Sequence, residues 1–337
     1  MEKFDNSCYI NSMYTLLQFL LLKNEDERKK TFYFFGRAIP ERVAKCFKNS
    51  WHLNTKFKDE KGIMKYKKIY SLYRNLEKFV IKENLCNKPM YMADNMSYSQ
   101  FFLNHMNECY LLEDGCINYN KEMLEKIINT KEKNNLKTLR NKFLKRSKNY
   151  YKPFGLSDKI EKIYLTGIAE IPEVIKNKVE VIDIKENWKN LSQEERTNIL
   201  KIFNINSAVL EKLQKKEDRV LLITQTFSED KYVSEEEKIN MYKEIIDMYP
   251  DQKVVIKPHP RELTNYKEVF PDIDIIEGKF PLEVLMLLGV EFKEVVTVYS
   301  TAALNFKGIT NVNYLGTESY PKIKARFGEV KKVYYKI

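Results

Sequence analysis

The sequence predicts an α/β protein built on doubly wound parallel sheets, and three observations predict it. Short apolar runs alternate with helical patterns throughout the second half, the signature of parallel strands joined by crossover helices. The run Val254, Val255, Ile256 is apolar and β-branched throughout, as a buried strand is. With 337 residues and 43% hydrophobic content, the chain is globular and too long for one typical core, so it divides into two domains.

Taken in order, Cys8, Tyr9 and Ile10 form a short first strand. Asn11 or Ser12 caps a helix over 13–23, whose Leu16, Leu17, Phe19, Leu20 and Leu21 pack on a sheet. TFYFFG at 31–36 is the next strand. A lysine-rich helix over 61–84 follows, with Tyr66, Ile69, Leu72, Tyr73, Leu76 and Phe79 spaced to bury one face. Strands return at 90–93 and 108–112, and the second ends in Glu113, Asp114, Gly115.

Residues 121–152 are the most basic tract; between 131 and 152 there are nine Lys or Arg and one acid, Glu132. Leu136, Leu139, Phe143 and Leu144 recur there at helical spacing. Two readings fit: a basic amphipathic helix resting on a membrane face, and a solvated inter-domain helix. Pro153, Phe154 and Gly155 then punctuate the chain and place the boundary between domains 1–153 and 154–337. Beyond it, strands are predicted at 163–165, 179–182, 220–224, 254–256, 273–276 and 295–298. Helices are predicted at 193–203, 234–247 and 282–288, and Ser234 followed by Glu237 is a capping box.

With 58 Lys plus Arg against 47 Asp plus Glu, the net charge is +11, which favours acidic partners such as nucleotides, nucleic acid or anionic lipid. High Lys, Asn and Ile usage points to an AT-rich genome and discounts part of that charge. The five cysteines (Cys8, Cys46, Cys86, Cys109, Cys116) fall in no CxxC pairing, so neither a zinc site nor a disulfide framework is indicated. Glu2 and Asp5 argue against a signal peptide, and the apolar run over 13–22 is too short to span a bilayer. The expected location is cytoplasmic.

Residues 253–262, KVVIKPHPRE, are the stretch around which the chain is organised. Pro258 and Pro260 end the strand and hold His259 on a stiff turn, with Lys257 and Arg261 placing positive charge on either side. At the carboxyl end of a parallel strand that is an anion site in outline; a surface loop with an incidental histidine fits the same residues. Ser300 and Thr301 follow strand 295–298 at a helix start, where hydroxyls and free amides suit a phosphate or serve as simple N-caps. Glu283, after Pro281 in the first turn of an apolar helix, suits the hydroxyls of a ribose or is a favourable helix-terminal charge. Asp114 beside Gly115, at the end of strand 108–112, suits a cleft-facing general base; an ordinary acidic turn fits equally. Asp272 and Asp274, the one Asp-x-Asp, read as a solvated strand edge.

KPHPRE, the PLEVLMLLG helix, YST before a helix and EDG at a strand end together resemble bacterial sialyltransferases of glycosyltransferase families 52 and 80, family 52 more closely. The resemblance covers about residues 220–310 plus the segment around Asp114. It implies a GT-B fold of two Rossmann-like domains with a cleft between them, the acceptor on the N-terminal domain and CMP-sialic acid on the C-terminal one. It implies that His259 contacts the CMP phosphate, Ser300 and Thr301 bind its oxygens, Glu283 holds the ribose, Lys257 lies near cytosine or phosphate, and Asp114 is the general base. Pro260, Arg261 and Gly115 complete the substrate-binding set, and Glu113 and Asp230 are alternative bases.

The expected activity is therefore an inverting sialyl transfer, without metal or other cofactor, to a galactose-type hydroxyl of a bacterial lipooligosaccharide or capsule. A homodimer and peripheral contact with the inner membrane face go with it, and nucleic acid does not. Two alternatives stand beside it: a GT-B enzyme using another CMP- or nucleotide-activated sugar, and a non-catalytic basic protein binding nucleic acid or a membrane surface.

Overall fold

The structure, a computed structural model, describes residues 3–53, 62–130, 143–144, 146–214 and 218–337, apart from the side chains of Cys116 and Lys212. Leu136 and Leu139 of the expected basic helix lie outside the described residues, while Phe143 is exposed and Leu144 buried. The chain forms two compact units, Met1–Arg196 and Thr197–Ile337.

In the first unit, seven strands among the described residues form one sheet: β1 (Asn6–Ile10), β2 (Thr31–Phe35), β3 (Ser50–His52), β4 (Met90–Met92), β5 (Cys109–Leu112), β6 (Ile160–Leu165) and β7 (Val179–Val181). Their order is β3-β2-β1-β4-β5-β6-β7 and every pairing is parallel. The chain runs outward from β1 to β3 and then returns to the other side of β1, so β1 and β4 flank a switch point. β1, β2 and β4 are buried at every position, as strands covered on both faces must be.

Ser12, not Asn11, caps the first helix, Met13–Leu22; its Oγ accepts from the Thr15 amide at 3.1 Å. Helix Gly62–Lys82 buries Tyr73, Leu76 and Val80 and packs Ile69, Leu72 and Phe79 on the same core. Tyr66, expected on that face, is exposed, so the buried stripe begins a turn later than its periodicity suggested.

The boundary expected at 153 lies instead near 196, because β6 and β7 extend the first sheet. Pro153, Phe154 and Gly155 form a tight turn, not a linker. The buried Asp94 carboxylate accepts from the Phe154 and Gly155 amides at 2.6 and 2.8 Å, and a side chain on Gly155 would lie 2.3 Å from Ile163 Cδ1. Such a turn is pinned to its domain, and composition alone cannot distinguish it from a hinge.

The second unit holds six strands among the described residues: β8 (Arg219–Ile223), β9 (Lys253–Lys257), β10 (Asp274–Ile275), β11 (Glu294–Thr297), β12 (Asn311–Tyr314) and β13 (Val333–Tyr335). The order is β10-β9-β8-β11-β12-β13, with β13 alone antiparallel. Again the chain winds outward from a central strand, β8, and resumes on its other side with β11. The carboxyl ends of β8 and β11 flank the switch point, where open α/β sheets hold ligands. Helix Glu235–Asp247 starts with the expected capping box between Ser234 and Glu237. No described helix is long and apolar enough to cross a membrane.

Candidate active site

The HP turn leaves β9 beside the central strand β8 and is tied down at several points. The Glu262 side chain is 1% exposed and accepts from the His259 amide at 2.6 Å, the Thr224 hydroxyl at 2.5 Å and the Tyr266 hydroxyl at 2.6 Å. Thr224 closes β8, so this one carboxylate fastens the turn to the centre of the sheet. Burial raises the Glu262 pKa, and the hydroxyls of Thr224 and Tyr266 with the His259 amide oppose that shift.

His259 Nδ1 accepts from the Arg261 amide at 3.1 Å, which leaves the proton of the neutral ring on Nε2. Burial, followed by the charges of Arg261 and Lys257, lowers the histidine pKa to about 4. In the free protein at neutral pH the imidazole is therefore an uncharged Nε2–H donor, not the cation that its basic flanks suggested. Among the described residues Nε2 has no hydrogen-bond partner. Lys257 lies underneath, buried, its Nζ donating to the carbonyls of Pro258 (3.0 Å) and Gly278 (3.1 Å) and sitting 4.6 Å from the centre of the Phe280 ring. Burial pulls its pKa down to about 8.

Arg261 makes a bidentate pair with Asp230, 3.0 Å to each oxygen, and also reaches the Thr226 hydroxyl at 3.1 Å. Burial pushes the Asp230 pKa up, but the hydrogen bonds from Arg261 and Thr226 outweigh it and hold the carboxyl below its ordinary range. Glu229 is likewise engaged, accepting from the fully buried Lys238 at 2.9 and 3.0 Å and from the Leu263 amide at 2.8 Å. Asp230, an alternative base by sequence, is thus committed to bracing the HP turn.

The β11 end lies alongside. Gln225, just past β8, accepts from the Tyr299 amide at 2.9 Å through its side chain and donates its own backbone amide to the Tyr242 hydroxyl at 2.7 Å. Thr297 accepts from the Ser300 amide at 3.2 Å. Ser300 precedes a 3₁₀ turn, Thr301–Phe306, and makes no side-chain capping bond; both hydroxyl residues are half-buried. Within that turn Asn305 donates to Glu283 at 2.9 Å, and Glu283 is itself buried at the start of helix Glu283–Leu287. The HP turn, the segment after β8, the Ser300–Thr301 turn and Glu283 therefore form one hydrogen-bonded rim. Asp274 of the Asp-x-Asp pairs with Lys253 at 3.1 Å on edge strand β10.

In the first unit, Glu113, Asp114 and Gly115 follow β5. Glu113 is fully buried and accepts from Tyr14 and Tyr119 hydroxyls at 2.8 Å each, from the Thr166 amide at 2.7 Å and from the Thr166 hydroxyl at 2.9 Å. Burial raises its pKa. With its acceptor positions filled, Glu113 is built to hold the turn, while Asp114 next to it is half-exposed and Gly115 takes a left-handed φ of 76°. Sequence reasoning passed over Glu262, Thr224, Gln225, Asn305 and Asp94; the one signal within reach was that Glu262 stands three residues after His259, the spacing of a turn-closing acid.

Comparison with known proteins agrees with this architecture. A Photobacterium phosphoreum α/β-galactoside α-2,3-sialyltransferase superposes with a TM-score of 0.59 at 12% identity, over 93% of this chain and 90% of that one. The 2,6-sialyltransferase of Photobacterium sp. JT-ISH-224 gives 0.56 at 14% identity, over 89% and 69%. These likenesses establish the fold, of GT-B type with two Rossmann-like domains. An uncharacterized Haemophilus influenzae protein is 32% identical over 328 residues, covering 96% of this chain and 97% of the relative. The family model for glycosyltransferase family 52 matches residues 20–316, and the chain belongs to that family.

Proposed function

We propose that the protein is an inverting sialyltransferase that uses CMP-sialic acid and passes the sugar to a galactose-type hydroxyl of a bacterial surface glycan. The observation that carries this reading is the rim at the β8–β11 switch point. An Nε2–H donor, two uncapped hydroxyl residues and a buried carboxylate are held together there, which matches a single phosphate and the ribose beside it. The Photobacterium sp. JT-ISH-224 enzyme, of the same fold, was crystallised with CMP and lactose, which supports the choice of nucleotide and acceptor class.

In this mechanism Asp114 takes the proton of the acceptor hydroxyl as its oxygen attacks the anomeric carbon. The bond from that carbon to the CMP phosphate breaks, and its electron pair leaves on a phosphate oxygen. His259 donates to that developing charge and Ser300 and Thr301 solvate it, so no metal is required. The monoanionic phosphodiester of the donor raises the imidazole pKa as it binds, and the second negative charge gained on departure raises it further, so His259 is more fully protonated as the bond breaks. Glu283 accepts from the ribose, and Glu113 and Asp230 position the two turns that carry Asp114 and His259. Cytoplasmic action, peripheral membrane contact and a homodimer belong to the same reading.

The experiment is a paired one. Asp114→Asn is expected to lower the transfer rate about 100- to 10,000-fold, the range for losing a general base, with CMP affinity unchanged. His259→Ala is expected to weaken CMP about 10- to 100-fold by calorimetry, the range for losing a hydrogen bond to a charged group. Both wild-type activity with chelator present and preference for CMP over UDP and GDP are expected. Tighter binding of UDP or GDP than of CMP would overturn the sialyl assignment.

A further inference from the structure

Glu262 is a carboxylate in an unpromising place, since negative charge near a phosphate site opposes the ligand and burial opposes the charge. Its environment explains why it is tolerated. The His259 amide, the Thr224 hydroxyl and the Tyr266 hydroxyl all reach it at 2.5 to 2.6 Å, and the ammonium of Lys238 stands 3.7 Å away. Each is a donor turned inward; one oxygen, Oε2, accepts from both the His259 amide and the Thr224 hydroxyl, and Oε1 accepts from Tyr266. The charges that bear on the imidazole are those of Arg261, Lys257, Asp230 and Glu229. Glu262 grips the His259 backbone amide, and it therefore acts on the direction of the ring.

We propose that Glu262 is a positioning residue for the donor phosphate: by gripping the His259 amide and the Thr224 hydroxyl together, it fixes the direction in which His259 Nε2–H points from the end of β9. The inference rests on the reading of His259 as the phosphate's partner. Two further restraints complete the device. The Arg261 amide on Nδ1 selects the tautomer, and the Arg261–Asp230 pair holds the far side of the turn. Glu262 ties the turn to Thr224, the residue that follows β8, 38 positions away.

The test is a double-mutant cycle on the full-length protein, with CMP affinity measured by calorimetry and folding by thermal melting. Glu262→Leu, which removes the acceptor of both bonds, is expected to weaken CMP about tenfold, and to change its affinity less than twofold when His259→Ala is already present, because the imidazole it aims is gone. Equal weakening in both backgrounds would overturn the positioning role, as would unchanged CMP affinity in folded Glu262→Leu. Should Glu262→Leu fail to fold, Thr224→Val removes one donor from the same carboxylate, and the same coupling to His259 is expected. If His259→Ala alone binds CMP as wild type does, the underlying reading of the histidine fails, and that titration shows it by itself.

Discussion

At the residue scale, the properties of His259 follow from its neighbours more than from its type. A histidine between lysine and arginine invites the assumption of a cation, yet those same charges and burial lower its pKa to about 4, while the Arg261 amide occupies Nδ1. The sign can be worked out. Because the unfolded chain takes up this proton near pH 6.5, before the folded one does, folding loses stability as pH falls from about 6.5 toward 4 and is unaffected by this group above that window. The chain has three histidines, so nitrogen NMR can follow each. One ring is expected to be the neutral Nε2–H tautomer at pH 7 with a midpoint near 4, shifting upward when CMP is added. A midpoint at or above 6.5 in the free protein would contradict the geometry. The strand end at Lys257, the proline-locked turn at His259 and the helix start at Glu283 were legible from the sequence because each is marked locally. Glu262 was present in the motif but illegible in role, since its partner Thr224 is distant along the chain.

At the scale of the element, what decides whether a segment can be read is whether its stabilisation is local. The capping box at Ser234 and the buried runs of β8, β9 and β11 are local, and they stand where the pattern placed them. β3, β12 and β13 were missed because SWH, NVNY and VYY are short and mix polar with apolar residues; they are strands only by virtue of the neighbour they pair with. The turn at 153–155 misled for a related reason. It owes its order to Asp94, some 60 residues earlier, and not to its own composition. Asp94→Ala would leave two amides without an acceptor, that of Gly155 buried and that of Phe154 half-buried, at about 1–3 kcal/mol for the buried one. Urea denaturation is accordingly expected to show a loss of roughly 1–3 kcal/mol at unchanged m-value. A loss below about 1 kcal/mol would mean that the turn does not depend on this carboxylate.

For the whole molecule, the same winding occurs twice: each unit starts its sheet from a central strand, builds to one side and then resumes on the other. Two such sheets explain why composition and alternation sufficed to predict the fold class, whereas the division at 196 required knowing which sheet β6 and β7 join. In the reaction we propose, the repetition also separates duties, with Asp114 in one unit and the rim at the β8–β11 switch point in the other. Hydrogen exchange with saturating CMP is therefore expected to slow most in the segments 224–230, 257–263 and 299–305. Slowing confined to Met1–Arg196 would place the nucleotide in the wrong unit.

The borders of the second sheet carry a consequence for handling the protein. One border, β10, is only two residues long, and the other, β13, is flanked by Lys331, Lys332 and Lys336. A brief border offers little for a stray chain to zip onto, and clustered ammonium groups repel an identical copy. Lysines placed there disfavour pairing between copies, and acetylating those amines is expected to make concentrated solutions cloud sooner, as light scattering would show.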